Sequence, residues 1–573
     1  MARITIYDTT LRDGTQGEGV SLSVSDKLKI AHRLDTLGVD YIEGGWPGSN
    51  PKDAAFFQQA RARTWDHARI TAFGSTRRPN AAVADDPNIQ ALLDAGTGWV
   101  TLVGKSWTLH VDEVLETTRD ENLAMIAESI AYLRAQGRAV FYDAEHLFDG
   151  FKADPAYTLA TLRAARDAGA AGIILCDTNG GTMTDDLGGI VGRIRAALGD
   201  DVTLGIHTHN DCELAVANTL AAVAHGATHV QGTINGYGER CGNANLCSIV
   251  PTLTLKLGHE TLPPERLGEL TELAHYVGET ANMTMHNAAP YVGASAFAHK
   301  GGIHVSAMRK NITSYQHIDP ALVGNRQRVL VSELSGRGNV LSKVEEAVAS
   351  RGGVAVTEQQ ARTLVERIKA LESDGYQFEG ADGSFQLLIR RMEPGYRPPF
   401  DLVDFLALVE RRGGAALVSE ATVKIRVGDE VIHTAGSGNG PVNALDAAVR
   451  KVLVDFYPAL RGVHLLDYKV RVIDGASGTM ATTRVLIESG DGHESWTTVG
   501  SSPNIIEASW LALSDSLEYA ILREGVKDGL SPDDGACDEQ PVVQENEVGV
   551  RPDDDAALAV QAKQTSRDLG GHA

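Results

Sequence analysis

GIILCD (172–177) is a short, apolar, β-rich run that leads into polar residues, and an amphipathic stretch follows it. Seven further apolar runs, each leading into polar or glycine residues and then an amphipathic stretch, occur at intervals of about 30 residues, the length of one strand–helix unit. They are ITIYD (4–8), YIEGG (41–45), ITAFG (70–74), WVTLVG (99–104), AVFYD (139–143), VTLGIH (202–207) and HVQGTI (229–234).

The number of these units decides the predicted fold. Buried parallel strands read as continuous runs of Val, Ile and Leu, and helical periodicity follows each run here. Eight such units predict an α/β protein built on a closed (β/α)8 TIM barrel. A doubly wound open sheet is the alternative, and the count of eight favours the barrel.

An internal repeat marks the region that begins near Ala421. TAGSGNGPVNALDAAVRKVL (434–453) resembles TVGSSPNIIEASWLALSDSL (498–517), which lies 64 residues further on. Each copy follows a segment with strand alternation, so two similar halves predict a small, duplicated α+β domain. Such a domain suits a ligand site between the halves or dimerisation, although a duplicated packing unit without a ligand is also consistent with it.

These patterns divide the chain into four predicted segments. The catalytic barrel covers 1–275, and mostly helical linker subdomains that contribute to the active site cover 276–415. A regulatory or dimerisation domain covers 416–526. The remainder, 527–573, is predicted to be a disordered acidic tail, because ten acidic residues and one basic residue lie between Asp528 and Asp555.

Composition excludes several classes of function. The chain has 75 acidic and 52 basic residues and a net charge of −23. It is therefore a poor candidate for binding nucleic acid or an anionic membrane, although local cations could still bind an anionic substrate. No apolar run reaches the roughly 18 residues of a membrane span. The five cysteines form no C-x-x-C pair, and we expect a reduced, cytoplasmic protein.

Strand 7 ends in a pair of histidines, His207 and His209. Residues i and i+2 of an extended segment point to the same side, so both imidazoles can reach one metal ion. Two structural histidines are the alternative. Catalytic groups of TIM barrels lie where the strands end, and this position favours metal binding.

Strands 1 and 8 end in further candidate ligands. Asp13 can supply an oxygen to a metal ion, and Arg12 beside it can bind an anion or a developing oxyanion. A surface ion pair in a turn is the alternative for these two residues. Asn243 can add a neutral oxygen. Such a ligand set suits Mg²⁺, Mn²⁺ or Zn²⁺ and leaves positions at which a 2-oxo acid could chelate the ion.

Carboxylates also close strands 2 and 5. Glu43 and Glu145 could orient a ligand or relay protons, or either could pair with Arg12 and be purely structural. Thr178, after strand 6, is a candidate hydrogen-bonding partner for substrate or simply part of a turn. Local spacing gives no functional role to His304 or Tyr315.

Five motifs occur in one order along the chain: TTLRDGTQ (9–16), IEGGWPG (42–48), HTHND (207–211), NGYGERCGNANL (235–246) and AFAHKGGIH (296–304). Together they resemble the metal-dependent enzymes that condense acyl-CoA with 2-oxo acids, a family with a TIM barrel that includes isopropylmalate, homocitrate and citramalate synthases. The resemblance covers nearly the whole chain, including the duplicated domain, and it is greatest for the citramalate synthase branch.

The resemblance implies a role for each candidate residue. Arg12 would bind the 2-oxo acid and stabilise oxyanion charge, and Glu43 would shape the pocket. Glu145 and His304 would act in removing the acetyl methyl proton, with help from Tyr315. Four residues would hold the divalent metal: Asp13, His207, His209 and Asn243.

The same resemblance implies an acyltransferase that condenses acetyl-CoA with pyruvate and hydrolyses the thioester, giving (R)-citramalate for isoleucine biosynthesis. It further implies a homodimer in which His304 and Tyr315 reach the active site of the other subunit, with isoleucine as a feedback inhibitor. The alternatives are isopropylmalate synthesis from 2-oxoisovalerate, a retro-aldol lyase on the same barrel, and a non-catalytic amino-acid sensor.

Overall fold

The computed structural model describes residues 2–308, 310–329, 357–378, 380–393, 395–411, 417–473, 478 and 480–527. The predicted acidic tail lies outside the described residues, apart from its first position. The chain divides into two compact units. One contains the residues up to Arg397 together with Leu466–Glu488 and Trp496–Ala512, and the other contains Pro398–Leu465, Ser489–Ser495 and the residues from Leu513 onward.

Eight parallel strands form a closed barrel in which β1 pairs with both β2 and β8. The TIM barrel and all eight predicted strands are thus confirmed, and the open sheet is excluded. The strands are β1 Thr5–Asp8, β2 Tyr41–Gly45, β3 Arg69–Ser75, β4 Trp99–Lys105, β5 Ala139–Glu145, β6 Gly172–Asp177, β7 Leu204–Thr208 and β8 His229–Gly232.

Helices alternate with these strands, and two of them follow β5. They are α1 Val24–Leu37, α2 Pro51–Ala60, α3 Pro87–Asp94, α4 Arg119–Ala135, α5 Leu147–Ala153, α6 Pro155–Asp167, α7 Thr184–Leu198 and α8 Ala215–Ala224.

Three barrel helices begin with the same dipeptide pattern, an Asn or Asp followed by Pro. The side chains of Asn50, Asp86 and Asp154 each accept a backbone N–H of the first helical turn, and a proline occupies the next position. Both features favour helix initiation, because the cap satisfies a free donor and proline has none to satisfy. The sequence itself therefore fixes where these helices begin.

Helix α8 begins at Ala215, six residues after His209. Glu213 has a φ of 60°, which is incompatible with a right-handed helix. The side chain of Asn210 accepts the backbone N–H of Ala215 and so satisfies a donor at the true start.

Two separate apolar clusters stabilise the barrel. One lies between the strands and the helices and includes the fully buried Ile6, Ile42 and Val100. The other fills the inside of the barrel near the N-terminal ends of the strands. We call it the barrel floor, and its rings are Tyr7, Tyr41, Trp99, Phe141 and His229.

The alternation of side chains along each strand places polar groups directly above the barrel floor. Residues two positions apart on a strand face the same side. An aromatic ring of the floor is therefore followed, two residues later and nearer the mouth, by a polar side chain that also faces the inside of the barrel. Three strands show this pairing: Tyr41 with Glu43, Phe141 with Asp143, and His229 with Gln231. The floor thus supports the polar layer in which the candidate site lies.

The region after the barrel is mainly helical. Its longest described helix covers Glu358–Ser373, and Thr357 and Gln360 form a reciprocal capping box at its start. The regular elements are α9 Leu246–Pro251, α10 Leu270–Thr280, β9 Ala298–His299, α11 Gly302–Met308, β10 Arg328–Val329, α12 Glu358–Ser373 and α13 Asp382–Arg390.

Two sets of three strands and one helix form the rest of the described chain, which confirms a duplicated α+β domain. The first set is β11 Asp401–Arg411, β12 Leu417–Val427, β13 Glu430–Gly438 and α14 Pro441–Phe456. The second set is β14 His464–Val472, β15 Thr483–Gly490, β16 Ser495–Ser502 and α15 Ile505–Lys527.

The repeat conserves one close approach of strand and helix in each half. A Cβ on Gly436 would lie 2.6 Å from the Ala448 nitrogen, and a Cβ on Gly500 would lie 2.8 Å from the Ala512 nitrogen. Both separations are too short for a side chain, so glycine lets each helix pack directly on its sheet. No helix in the described part of the chain has the length and apolarity needed to cross a membrane.

Candidate metal centre and active site

The structure brings Asp13, His207 and His209 together at the C-terminal mouth of the barrel. Asp13 follows β1, and the two histidines lie at the end of β7. One possible ligand atom from each residue lies within 4.8 Å of the others. His207 Nε2 is 3.2 Å from Asp13 Oδ2 and 3.3 Å from His209 Nε2. All three side chains are largely buried, and they line the bottom of a cavity at the mouth.

Asn243 approaches this triad from the loop after β8. Its backbone forms a β-bridge with His209, and its Nδ2 donates to the carbonyl of Tyr237. Its Oδ1 is buried and has no hydrogen-bond partner among the described residues, and the same holds for His209 Nδ1. Buried oxygens are rarely left without a partner. This oxygen, a carboxylate and two imidazoles together fit the ligand preferences of a divalent metal.

The protonation states of Asp13 and His209 also suit a cation. Burial opposes ionisation of Asp13, yet Arg12 and His207 outweigh it and hold the pKa of Asp13 well below its usual range. Burial and then His207 lower the pKa of His209 to about 3. Burial would lower the pKa of His207, but contact with Asp13 raises it. Two ring nitrogens 3.3 Å apart cannot both carry a hydrogen between them, so at least one offers a lone pair.

Arg12 is fixed on several sides. Its Nε donates to Glu43 Oε1 at 2.5 Å, its Nη1 is 3.6 Å from Asp13 Oδ2, and its guanidinium carbon lies 3.8 Å from the centre of the Phe73 ring. The other oxygen of Glu43 accepts the Tyr7 hydroxyl at 2.6 Å. Burial would lower the pKa of Arg12, but Glu43 and Asp13 raise it above its ordinary value. Arg12 is thus a rigid, permanent cation, as oxyanion stabilisation requires.

Glu145 and Thr178 line the same cavity without touching the triad. Glu145 accepts a hydrogen bond from Lys105, so the structure pairs it with a lysine at the end of the neighbouring strand. Thr178 accepts the backbone N–H of His146 through Oγ1 and the guanidinium of Arg240 through its carbonyl. The Thr178 hydroxyl keeps its own hydrogen for a ligand in the cavity.

His304 and Tyr315 do not line the cavity. Their rings stack on each other with centroids 4.1 Å apart and planes inclined by 22°. His304 is exposed, and Tyr315 is 43% exposed. The two rings therefore form an outward-facing pair, available to another molecule.

Two polar side chains inside the barrel, Asp143 and Gln231, carry no signal in the motifs described above. Gln231 Oε1 lies 2.9 Å from His207 Nδ1, and Gln231 Nε2 donates to Asp143 Oδ1 at 3.2 Å. The first contact leaves His207 Nε2 facing Asp13. Burial, and then repulsion from Glu43, raises the pKa of Asp143 to about 7. Both residues follow a ring of the barrel floor by two positions, and that spacing was the available sequence signal.

A cavity of about 430 Å³ opens over the triad. Its apolar wall includes Trp46, Phe73 and Met125, which suits an acyl chain. Five basic side chains line this mouth: Arg12, Arg77, Arg78, Lys105 and Arg240. Four of them pair with carboxylates, and Arg78 has no ion pair among the described residues, so Arg78 and the unpaired donors of Arg12 are the groups that suit an anionic substrate.

Family comparisons agree with this geometry. Residues 3–277 match a family model described as HMGL-like, 291–375 match the homocitrate synthase post-HMGL domain-like model, and 379–521 match the LeuA allosteric (dimerisation) domain. The fold and the triad thus define an HMGL-like barrel enzyme with a candidate divalent-metal site and an appended regulatory domain.

Relatives that match about nine tenths of the chain identify its family within this class of barrel enzymes. An (R)-citramalate synthase of Synechocystis sp. is 52% identical over 528 residues, covering 90% of this chain and 96% of that protein. One from Aquifex aeolicus is 50% identical over 525 residues, covering 91% and 98%. A probable 2-isopropylmalate synthase of Methanopyrus kandleri is 32% identical over 507 residues, covering 88% and 96%. The chain belongs to the (R)-citramalate synthase family, which confirms the resemblance seen in its motifs.

Proposed function

We propose that the protein condenses acetyl-CoA with pyruvate and hydrolyses the thioester, which gives (R)-citramalate and CoA for isoleucine biosynthesis. The observation that carries this proposal is the buried cluster of Asp13, His207 and His209 at the barrel mouth. It occurs in a chain that is 52% identical to an (R)-citramalate synthase. The basic lining of the cavity suits two anionic substrates.

Four residues would hold one divalent metal, which is Mg²⁺, Mn²⁺ or Zn²⁺ in this proposal: Asp13, His207, His209 and Asn243. When bound, such an ion acts as a Lewis acid that polarises a ketone. The chain contributes the orientation of the ligands, because Gln231 fixes the ring of His207 from behind. The low exposure of these side chains limits the water that competes with them for the metal.

Arg12 would bind the pyruvate and stabilise the alkoxide that forms on it. Glu43 occupies Arg12 Nε and Asp13 lies near Nη1, whereas Nη2 has no acceptor among the described residues. A guanidinium held in place before the reaction stabilises developing charge without having to reorganise. Glu43 is thus a positioning residue for Arg12, and Thr178 would offer its hydroxyl to the same substrate.

Proton removal from acetyl-CoA would fall to Glu145 together with His304 and Tyr315. Glu145 lines the cavity, but the other two residues face outward. In a homodimer, we propose that this stacked pair serves the cavity of the second copy. A positioned base accelerates such a step typically about 10²–10⁴-fold.

The bond changes balance without an added oxidant or reductant. A base takes a proton from the acetyl methyl group, and the resulting enolate carbon bonds to the ketone carbon of pyruvate. The ketone oxygen becomes an alkoxide beside Arg12 and takes up a proton. Water then adds to the thioester carbonyl, the carbon–sulfur bond breaks, and CoA leaves as a thiol.

Regulation and assembly form part of the proposal. The match to a LeuA allosteric (dimerisation) domain supports a homodimer that isoleucine inhibits. We also propose the barrel segment 1–275 and a linker segment from 276, but the expected boundary at 416 falls inside a sheet, because β11 pairs with β12, so the duplicated domain includes Asp401–Arg411. The four cysteines in the described chain are unpaired, and this supports a cytoplasmic location.

The experiment that tests the activity follows CoA thiol release from acetyl-CoA in the presence of Mg²⁺ or Mn²⁺. Pyruvate, 2-oxobutyrate, 2-oxoisovalerate and 2-oxoglutarate are compared separately, with and without isoleucine. We expect pyruvate to be preferred and isoleucine to inhibit. His207→Ala should abolish release, and the exposed His225→Ala serves as the matched control.

Other outcomes would revise the proposal in defined ways. A preference for 2-oxoisovalerate would keep the chemistry and replace the substrate, giving isopropylmalate synthesis. Absence of thiol release with every acid would reject the transferase and favour the lyase or the sensor. Full activity in His207→Ala would reject the metal site itself.

A further inference from the structure

A second cavity, of about 420 Å³, lies at the end of the barrel opposite the candidate site. It is formed where α2 and α3 end and where β3 and β4 begin, on the N-terminal side of the strands. Its size is within the range of small-molecule sites. The residues that matter for its chemistry are Arg61, Arg63, Trp65, Arg69, Gly96 and Trp99.

The three arginines in this lining lack acidic partners. Within the described residues, no carboxylate oxygen lies within 4 Å of Arg61, Arg63 or Arg69. Arg69 instead donates to the hydroxyl of Tyr41, and its guanidinium carbon is 5.3 Å from the centre of the Trp99 ring. Three uncompensated cations around one cavity stand out in a chain whose net charge is −23.

The negative C-terminal ends of α2 and α3 offset only part of the positive charge of the three arginines. The C-terminal end of a helix carries roughly half an elementary negative charge, so α2 and α3 together offset about one of the three cations. None of the described residues that line the cavity is acidic, so its lining stays positive. A phosphate monoester carries about −1.5 to −2 charges at neutral pH and is opposite in sign.

The cavity also holds its side chains in place. Arg61 packs on the backbone of Gly96, where a Cβ would lie 2.8 Å from Arg61 Cδ. Gly96 has a φ of 69°, so glycine serves both the turn and the arginine that crosses it. The indole nitrogen of Trp65 donates to the carbonyl of Ala60 at 3.1 Å, which fixes a half-buried aromatic wall beside the cations.

We propose that this cavity binds a small phosphate monoester that has a flat apolar part. The phosphate would lie against Arg61, Arg63 and Arg69, because guanidinium groups bind phosphate oxygens in a two-pronged geometry. The apolar part would lie against Trp65. The site is separate from the barrel mouth and does not depend on the proposed reaction.

Calorimetric titration of the full-length protein with AMP tests the proposal, with adenosine and inorganic phosphate as comparison ligands. The test variant is Arg61→Gln/Arg63→Gln. The matched control is Arg166→Gln, which removes an exposed arginine that pairs with Asp167 elsewhere on the barrel. We expect the double substitution to weaken AMP binding at least tenfold, the control to leave it unchanged, and adenosine not to bind.

Each further outcome decides a specific point. If inorganic phosphate also binds and loses affinity in the double variant, the site is supported and its affinity comes from the phosphate group. Equal AMP affinity in wild type and the double variant would overturn the proposal and place AMP elsewhere, for example at the basic barrel mouth. Absence of AMP binding, or equal binding of adenosine, would also overturn it and leave three solvated arginines.

Two controls keep the test decisive. Thermal unfolding and CoA thiol release without AMP should be the same in the double variant and in Arg166→Gln. If the double variant fails to fold, Arg61→Lys replaces it. That change keeps the charge and removes the guanidinium fork, so a several-fold loss of AMP affinity is expected and an unchanged affinity would contradict the site.

Discussion

His207 owes its orientation to a contact on the side of the ring that faces away from Asp13. Gln231 Oε1 lies 2.9 Å from His207 Nδ1, so the ring donates there and presents an unprotonated Nε2 to the triad when the histidine is neutral. Outer contacts of this kind typically contribute about 10–100-fold to metal affinity. The amide of Gln231 therefore matters to the metal site, although it would not touch the metal.

Gln231→Leu should accordingly weaken divalent-metal binding about 10–100-fold while leaving the fold intact. The measurement is competition of the bound metal against a chromogenic chelator, with circular dichroism to monitor folding. Gln136→Leu on the exposed end of α4 is the matched control. Equal metal affinity in the two variants would show that Gln231 does not orient the ligand.

Asp8 predicts a measurable pH effect on stability. Burial raises its pKa to about 7, even though hydrogen bonds from Thr10 act in the opposite direction. The unfolded chain loses this proton near pH 4, so between about pH 4 and 7 the folded state binds more protons than the unfolded state. Stability from Asp8 is thus complete below about pH 4 and is lost as the pH rises through 7, by up to about 1.4 kcal/mol per pH unit.

We expect the thermal midpoint of the wild type, relative to that of Asp8→Asn, to fall as the pH rises from 5 to 8. Differential scanning calorimetry at several pH values gives this difference. Asp94→Asn, on the exposed end of α3, controls for removal of a carboxylate as such. If the thermal midpoint of the wild type instead rose relative to that of Asp8→Asn with increasing pH, the raised pKa of Asp8 would be contradicted.

At this scale, sequence alone identifies most, but not all, of the polar residues that face the barrel mouth. Asp13 and the two histidines stand out because strand ends of a barrel are expected to carry chemistry. Asp143 and Gln231 lie within runs read as apolar strands, so only the two-residue alternation with Phe141 and His229 could have identified them. The outward stacking of His304 on Tyr315 depends on tertiary structure, and no local pattern indicates it.

Among the elements, α1 and α2 are joined to the barrel through a buried ion pair. Lys27 of α1 pairs with Asp53 of α2 and also donates to the carbonyl of Gly44. Asp53 accepts the backbone N–H of Trp46 as well, which connects the loop after β2 to the same carboxylate. Removing one partner of such a pair leaves a buried charge uncompensated, which costs about 3–5 kcal/mol.

Lys27→Met should therefore destabilise the fold by about 3–5 kcal/mol, and Lys29→Met on the exposed face of the same helix should have little effect. Thermal or urea unfolding monitored by tryptophan fluorescence measures both. The double change Lys27→Met/Asp53→Asn should recover part of the loss, since it removes both charges. A loss no larger than that of Lys29→Met would show that the pair contributes little.

Most elements could be predicted because their signals are local. Continuous apolar runs gave the eight strands, and the Asn/Asp–Pro pattern marks where α2, α3 and α6 begin. The start of α8 has no such local signal, because the positive φ of Glu213 excludes an earlier start and residue type does not reveal it. The repeat at 434–453 and 498–517 was informative since Gly436 and Gly500 meet the same packing requirement.

For the whole molecule, the outward-facing His304 and Tyr315 matter most for assembly. If this pair serves the cavity of a second copy, a subunit with a defective metal site can still supply its stacked pair. Mixing two inactive variants should then restore activity, which no single-chain site could do.

To test this prediction, homodimers of the His207→Ala variant and of the His304→Ala variant are dissociated, mixed in equal amounts and allowed to reassociate. Random pairing would give about a quarter of all sites with both parts intact, so about a quarter of wild-type CoA release is expected. Each variant reassociated alone is the control and should remain inactive. Mixed samples with no activity, despite mixed dimers detected by mass spectrometry, would place His304 in the cavity of its own chain.

The barrel floor also has a kinetic consequence. Tyr41, Trp99 and Phe141 close the inner end of the barrel, so within the described chain a ligand at the triad enters and leaves through the mouth. Under the proposed function, a small oxo acid sits deep and a much larger thioester covers it. The acid must then arrive first and its product depart last. The enzyme would follow a compulsory-order sequence, and thioester bound too early would form a dead-end complex.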